Sequence, residues 1–429
     1  MKLNKLIAIA TISLLSGGIS MAQKALNLED IVAGNVIQTK GIGSMTWLKD
    51  GERYSRLENN KQTGGTDIVA YQAKDNSREV IIPSSLLTDK STGKPIPARS
   101  ISWSADNEKV LIYNNTQRVW RYDTRGDYWV LNLKDGALRQ LGKGMPESSM
   151  TFAKFSPDGT RVAYVSNNNI YVEDIDSGKI TQLTKDGSDT IVNGTFDWVY
   201  EEEFSCRDGF RWSPDGKHIA YWQSDTKGTG VFDIINNVDS IYAKVIHFPY
   251  PKAGTTNSVV KVGYVSSTGG NTTWIAIPGD PRNNYLPRME FIPESDELFI
   301  QQLNRPQNTN KVWIAKISDN SLNNIFTDTD AAWLDTNDNI QWLKDNHYFT
   351  WESERSGWRH LYRISRDGKE IQPITKGDFD YISPVGTDLQ KGWVYFIASP
   401  DNFTQRYLYR AKAFGNGEVE RVSPMEQSG

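Results

Sequence analysis

Only one cysteine, Cys206, and four histidines occur among the 429 residues. A lone thiol excludes an intramolecular disulfide. One cysteine with scattered histidines supplies no metal-ligand cluster, so neither a metal nor any other cofactor is expected. His218, His247, His347 and His360 all fall inside the repeats described below and read as packing or surface residues. A Gly-x-Ser-x-Gly nucleophile elbow is also missing. Its nearest approach, Gly18-Ile19-Ser20-Met21-Ala22, fails at the last position, so no catalytic residue is expected in this chain. Walker and dinucleotide glycine loops are absent too. Charge of one sign is scarce: 48 Lys and Arg stand against 52 Asp and Glu, a net charge of -4. That gives none of the basic field a phosphate backbone demands, and nucleic acid is not an expected partner.

Long apolar runs are equally few. The run over residues 6–15 breaks at Gly17 and Gly18, short of the roughly 20 residues a membrane span needs. With Lys2 and Lys5 before it and Ser20-Met21-Ala22 after it, the run reads as an export signal cleaved after Ala22. The protein is therefore expected to be exported, to the periplasm or out of the cell. Residues 1–22 form the signal peptide in this reading, 23–44 an N-terminal segment, and 45–429 the folded body.

What is abundant is aromatic: 14 Trp, 19 Tyr and 15 Phe. A chain of this length splits into two or three domains unless it is built from repeats. Repeats are present. Phe155-Ser156-Pro157-Asp158-Gly159 precedes the β-rich Val162-Ala163-Tyr164-Val165, and Trp212-Ser213-Pro214-Asp215-Gly216 precedes Ile219-Ala220-Tyr221-Trp222. Weaker copies start at Trp47, Trp103, Phe291, Trp342 and Trp393, giving steps of 56, 52, 57, 79, 51 and 51 residues. Pro fixes φ, Asp bonds nearby backbone and Gly takes positive φ, so each copy is a hairpin turn. A second strand pair follows, as in residues 169–174 and 178–183. Four short strands per repeat make one propeller blade. The expected fold is an all-β propeller with seven visible repeats of four-stranded blades, and the step of 79 must contain an insertion.

The stretch Asp197-Trp198-Val199-Tyr200-Glu201-Glu202-Glu203-Phe204 carries the chemistry. Three consecutive carboxylates ordinarily form a solvated face. Here Phe196, Trp198, Tyr200 and Phe204 frame them, and large aromatics pack and hold their neighbours. In a helical turn adjacent acids diverge by only about 100°, so two of them can converge on one cation. A peptide amine titrates near 7.7 to 8.0, and nearby carboxylates favour its charged form.

This octapeptide resembles the double-glutamate motif of the dipeptidyl peptidase IV-like enzymes, serine peptidases of the prolyl oligopeptidase group. His247-Phe248-Pro249-Tyr250-Pro251-Lys252-Ala253-Gly254 and Gly357-Trp358-Arg359-His360-Leu361-Tyr362 are similar to two further segments of that family. The resemblance is to a bacterial member and covers nearly all of the mature chain. It implies that Glu202 and Glu203 bind the free amine of a peptide substrate, with Glu201 structural. It also implies that Arg121, in Val119-Trp120-Arg121-Tyr122, holds a substrate carbonyl. Asp123-Thr124-Arg125 departs from the family pattern there, which leaves Arg118 and Arg125 as substitutes.

The family's propeller has eight blades and caps an α/β-hydrolase domain in the same chain. Such a cap fixes the ammonium at a set distance from the nucleophile, so that dipeptides are released. With seven repeats and no elbow, the chain is expected to be a fragment lacking the last blade and the hydrolase domain, and inactive alone. A homodimer is left open. The alternatives are a periplasmic binding or scaffold propeller without peptidase activity, and a carbohydrate-active propeller that leaves the octapeptide unexplained.

Overall fold

The structure, a computed structural model, describes residues 27–32 and 43–425. The expected signal peptide lies outside the described residues, as does most of the 23–44 segment. Two units are distinguished, one up to Thr46 and one from Trp47 onward. Of the first, the helix Leu28–Val32 is described, opened by Asn27, whose side chain accepts from the Asp30 N–H at 2.7 Å.

The second unit is a β-propeller of seven antiparallel blades. Blade 1 runs over 47–82, blade 2 over 100–140, blade 3 over 150–182, blade 4 over 191–274, blade 5 over 284–329, blade 6 over 342–373 and blade 7 over 381–421. Six blades are four strands joined in order, blade 4 has five because its first strand is split, and blades 2 and 3 share one continuous sheet through the pairing of Met150 with Gly126.

Six buried apolar clusters hold this unit, and each spans two consecutive blades. Ile68 and Ile82 of blade 1 meet Val110 and Ile112 of blade 2. Trp222 and Val262 of blade 4 meet Met289 and Ile300 of blade 5. A sheet of four short strands cannot bury both faces by itself, so its alternating apolar residues need a neighbour on either side. The anchors Trp103, Phe155, Trp212, Phe291 and Trp342 sit at these seams, whereas Trp47 is largely exposed. The indole N–H of Trp103 donates to Ser55 Oγ at 3.0 Å and that of Trp212 to the Lys154 carbonyl at 3.3 Å, each reaching back one blade. Buried charge is matched there too: Glu173, with no exposed surface, accepts from Arg139 of blade 2 at 2.5 Å and from the Gly142 N–H at 2.8 Å.

Trp393 is a correction. The other anchors lie in or beside the first strand of a blade and are followed by the turn, whereas Trp393 opens the second strand of blade 7, after the turn at 388–392. Instead of packing on blade 6 it lies under Lys412 and Arg410 of its own sheet, at 3.8 and 4.2 Å. Spacing alone placed it among the anchors; the order of aromatic and turn separates it from them.

The turns work through a residue that the Pro-Asp-Gly argument passes over. Ser104, Ser156 and Ser213 each donate Oγ–H to the aspartate two residues on, at 2.6, 2.5 and 2.7 Å. The same hydroxyl accepts the N–H that opens the next strand, at 2.9, 3.0 and 2.9 Å. Gly159 and Gly216 take φ of 66° and 68°, the left-handed region that glycine enters without steric cost.

The Ser104 hydroxyl, with the Glu108 amide, holds the Asp106 carboxyl down at about 2, and the Ser213 hydroxyl and Lys217 amide outweigh burial to hold Asp215 at about 2. Both values lie below the unfolded aspartate value near 3.9, so the stability these groups contribute is full above pH 4 and is lost as pH falls through 2. Urea midpoints of the wild type and of Ser104→Ala and Ser213→Ala should therefore differ most above pH 4 and converge toward pH 2. A constant difference across that window contradicts the assignment.

Candidate functional site

Three excursions from the blades come together. The first is the tip of the long hairpin of blade 2, strands Lys109–Val119 and Tyr122–Asn132, turned by Trp120 and Arg121. Trp120 has φ of 55°, a conformation that costs a bulky residue of order 1–3 kcal/mol and persists only where the surroundings impose it. The second splits the first strand of blade 4. Ile191–Asn193 and Phe210–Trp212 both pair with His218–Asp225, and residues 194–209 loop out between them. Its neck is closed by the Gly209 N–H on the Gly194 carbonyl at 3.0 Å, and a Cβ on Gly209 would stand 2.7 Å from the Gly194 carbonyl carbon. The third is the hairpin Val231–Asn236 with Lys244–Pro249, the insertion that the 79-residue step requires.

The glutamates lie on the helix Trp198–Phe204 within the second excursion. Asp197 caps it, accepting from the Tyr200 N–H at 3.1 Å and from Ser258 Oγ at 2.5 Å. Burial pushes the Asp197 carboxyl up, and those two donors oppose the rise. Ser205 at φ 54° ends the helix, with the Cys206 N–H closing on the Tyr200 carbonyl at 3.0 Å. Tyr200 and Phe204 point into the seam between blades 4 and 5, and the Leu286 N–H donates to Tyr200 Oη at 2.9 Å. Arg288 donates to the Phe204 carbonyl at 2.8 Å. On its other side Trp198 meets Tyr250 at 4.4 Å and Phe248 at 6.2 Å, and Phe248 meets Trp120 at 5.3 Å. The motif at 247–254 is thus an aromatic clasp across all three excursions.

The outward carboxylates are sorted by arginines. Glu202 Oε1 lies 2.7 Å from Arg121 Nη2, joining two residues singled out from the sequence across 81 positions. Glu203 is exposed and makes no ion pair among the described residues. Glu201 is half-buried; burial pushes its carboxyl up and Arg207, 3.6 Å away, pulls it down. Arg118 donates to the Arg121 carbonyl at 3.2 Å, supporting the turn rather than meeting the glutamates. Arg125 lines an open cleft of about 560 Å³ with Glu201, Arg207, Trp198 and Phe248; Glu202, Glu203 and Arg121 lie outside that lining.

Arg207 escapes sequence reasoning. It stacks on Tyr122 at 4.0 Å, donates to Thr124 Oγ1 at 2.5 Å and faces Glu201, tying the blade 2 hairpin to the glutamate helix. No local pattern marks it, because its partners are distant in sequence. The histidines stay apart: His360 bonds Thr375 and Gly377, and His247 meets Asp233 at 2.6 Å. No group of three or more His, Cys, Asp or Glu able to hold a metal ion occurs among the described residues.

Residues 104–429 match the dipeptidyl peptidase IV (DPP IV) N-terminal region. The chain belongs to that family. All three excursions of this DPP IV N-terminal region lie inside the match. The chain is similar to dipeptidyl-aminopeptidase B of Aspergillus niger, 25% identical over 437 residues, covering 93% of this chain and 48% of that protein. Its fold is similar to the crystal structure of Porphyromonas gingivalis dipeptidyl peptidase 4, with a TM-score of 0.81 and 25% identity, covering 93% of this chain and 56% of that one. The chain thus spans about half the length of these relatives.

Helix geometry gives a direct test. Asp197→Ala removes the cap and should cost about 1 kcal/mol, read as a lowered urea midpoint, while Asp197→Asn, which can still accept from the Tyr200 N–H, should retain most of it. Equal losses in the two variants would show that the negative charge, not the cap, matters.

Proposed function

We propose that this DPP IV N-terminal region holds the free amino end of a peptide, for release of N-terminal dipeptides by a hydrolase domain of the same protein. The observation that carries the reading is a count of charge. Arg207 offsets Glu201, Arg121 offsets Glu202, and Glu203 is left over. One surplus carboxylate beside a paired one matches a single ammonium, and a nearby carboxylate favours the protonated amine. Arg121, largely exposed on its hairpin tip, retains donors free to turn toward a substrate carbonyl. The cap role, silence of the chain without its hydrolase partner, and export by the leader at residues 1–22 belong to the same proposal.

Calorimetric titration with Ala-Pro-Ala and its N-acetyl analogue tests it. Only the free amine should bind, and Glu203→Gln should weaken it about tenfold. Equal binding of the blocked peptide, or an unchanged Glu203→Gln, refutes the role.

The reading extends to a homodimer built on the inserted hairpin, where Val231, Ile235, Val238, Ile241, Tyr242 and Val245 are exposed at 50–97%. Contiguous apolar exposure of this kind marks an association surface. Sedimentation should give a dimer that Ile241→Lys converts to monomer; a monomeric wild type removes the dimer from the proposal.

A further inference from the structure

The two halves of the candidate site come from different blades, Arg121 from the hairpin of blade 2 and the glutamates from an excursion of blade 4. The side chains of Arg121 and Glu202 are 68% and 31% exposed, and an exposed ion pair contributes little to holding two segments together. The hairpin tip also bears Trp120 at φ 55°, a conformation that its surroundings must impose. Other contacts therefore fix how near the hairpin comes to the helix. One is Phe248, which meets both Trp120 and Trp198. Another is Arg207.

Arg207 has a fixed base. Its neighbour Asp208 is bonded by Lys154 of blade 3, which also donates to the Phe210 carbonyl at 2.7 Å, and Gly209 closes the neck of the excursion. From that base the guanidinium meets the strand carrying Arg121 at two points: it stacks on Tyr122, the residue after Arg121, at 4.0 Å, and donates to Thr124 Oγ1 at 2.5 Å. On the helix side its Nε stands 3.6 Å from Oε1 of Glu201, the residue before Glu202. Phe152 lies 5.9 Å from the same guanidinium, placed by the bulge between Thr151 and Lys154, where Phe152 takes φ of 56°. Bulges re-aim side chains in this way. A planar guanidinium can stack, donate and pair at once, whereas an ammonium on a flexible stem cannot.

We propose that Arg207 is a positioning residue that keeps Arg121 beside the glutamates, so that the site reads a peptide's amine and its carbonyl together. This role presupposes the amine-holding function proposed for Glu202 and Glu203. The substitution Arg207→Lys keeps the charge that offsets Glu201 and loses the stack and the fork, so it changes position without changing the count of charge. The hairpin is then free to draw away, and Arg121 goes with it. The glutamates stay where Tyr200 and Phe204 anchor their helix in the seam of blades 4 and 5. The amine keeps its carboxylates, and the carbonyl loses its donor. Arg207 thereby separates a peptide from a simple amine of the same charge.

Ala-Pro-Ala and isobutylamine are titrated calorimetrically into the wild-type chain, Arg207→Lys, Arg121→Ala and the double variant, each checked for folding by its urea midpoint. The preference for the peptide over the amine should fall about tenfold in each single variant and no further in the double one, since residues that act through one contact are not additive. Thr124→Val removes the hydroxyl that Arg207 bonds; it should lower the preference in the same direction, and it takes the place of Arg207→Lys if that variant does not fold. An unchanged preference, an equal loss for both probes, or a further fall in the double variant overturns the role of Arg207 alone. N-acetyl-Ala-Pro-Ala binding the wild type as tightly as the free peptide overturns the amine-holding function, and this role with it.

Discussion

Burial between neighbouring blades is the constraint on which the rest of this molecule depends. Every large fully buried side chain assigned to a cluster serves a seam between two consecutive blades: Trp222 between blades 4 and 5, Tyr164 between 2 and 3, Phe396 between 6 and 7. Stability is then close to a sum over adjacent pairs, as in other repeat architectures. Polar ties follow the same seams, with Arg211 of blade 4 on Glu290 of blade 5 at 2.7 Å and Arg161 of blade 3 on the Gly216 carbonyl of blade 4 at 2.9 Å.

The glutamate helix is a by-product of that logic. Seven residues are too few to be stable as a free helix. It persists because Tyr200 and Phe204 are inserted into the seam of blades 4 and 5, while its neck is pinched at Gly194 and Gly209. What is left outward is a row of three acids whose charges are set by arginines from elsewhere: Arg121 from blade 2, and Arg207 from the end of the same excursion. The seam fixes where the acids stand, and the arginines fix how much charge remains.

Much of this was legible in the sequence, because blades are local. The turn of residues 155–159 and the strands after it need only neighbours in the chain. The hairpin inserted in blade 4 was readable as extra length in the 79-residue step, but the helix-bearing loop at 194–209 was not, since it lies before Trp212, in a step of ordinary length. Trp393 was misplaced because a period says nothing about which strand an aromatic occupies. Glu202 and Arg121 could be named singly from the family resemblance, whereas their contact, and the latch at Arg207, depend on how blade 2 approaches blade 4.

The central claim is that one uncompensated carboxylate, Glu203 beside the Arg121-paired Glu202, holds a peptide's amine as ammonium. The most direct measurement is the titration of that amine itself, by nitrogen NMR on a peptide labelled at its N-terminal nitrogen, free and bound to the chain. The account predicts a bound pKa raised above the free value of about 7.7 to 8.0. A bound pKa equal to or below the free value would contradict it.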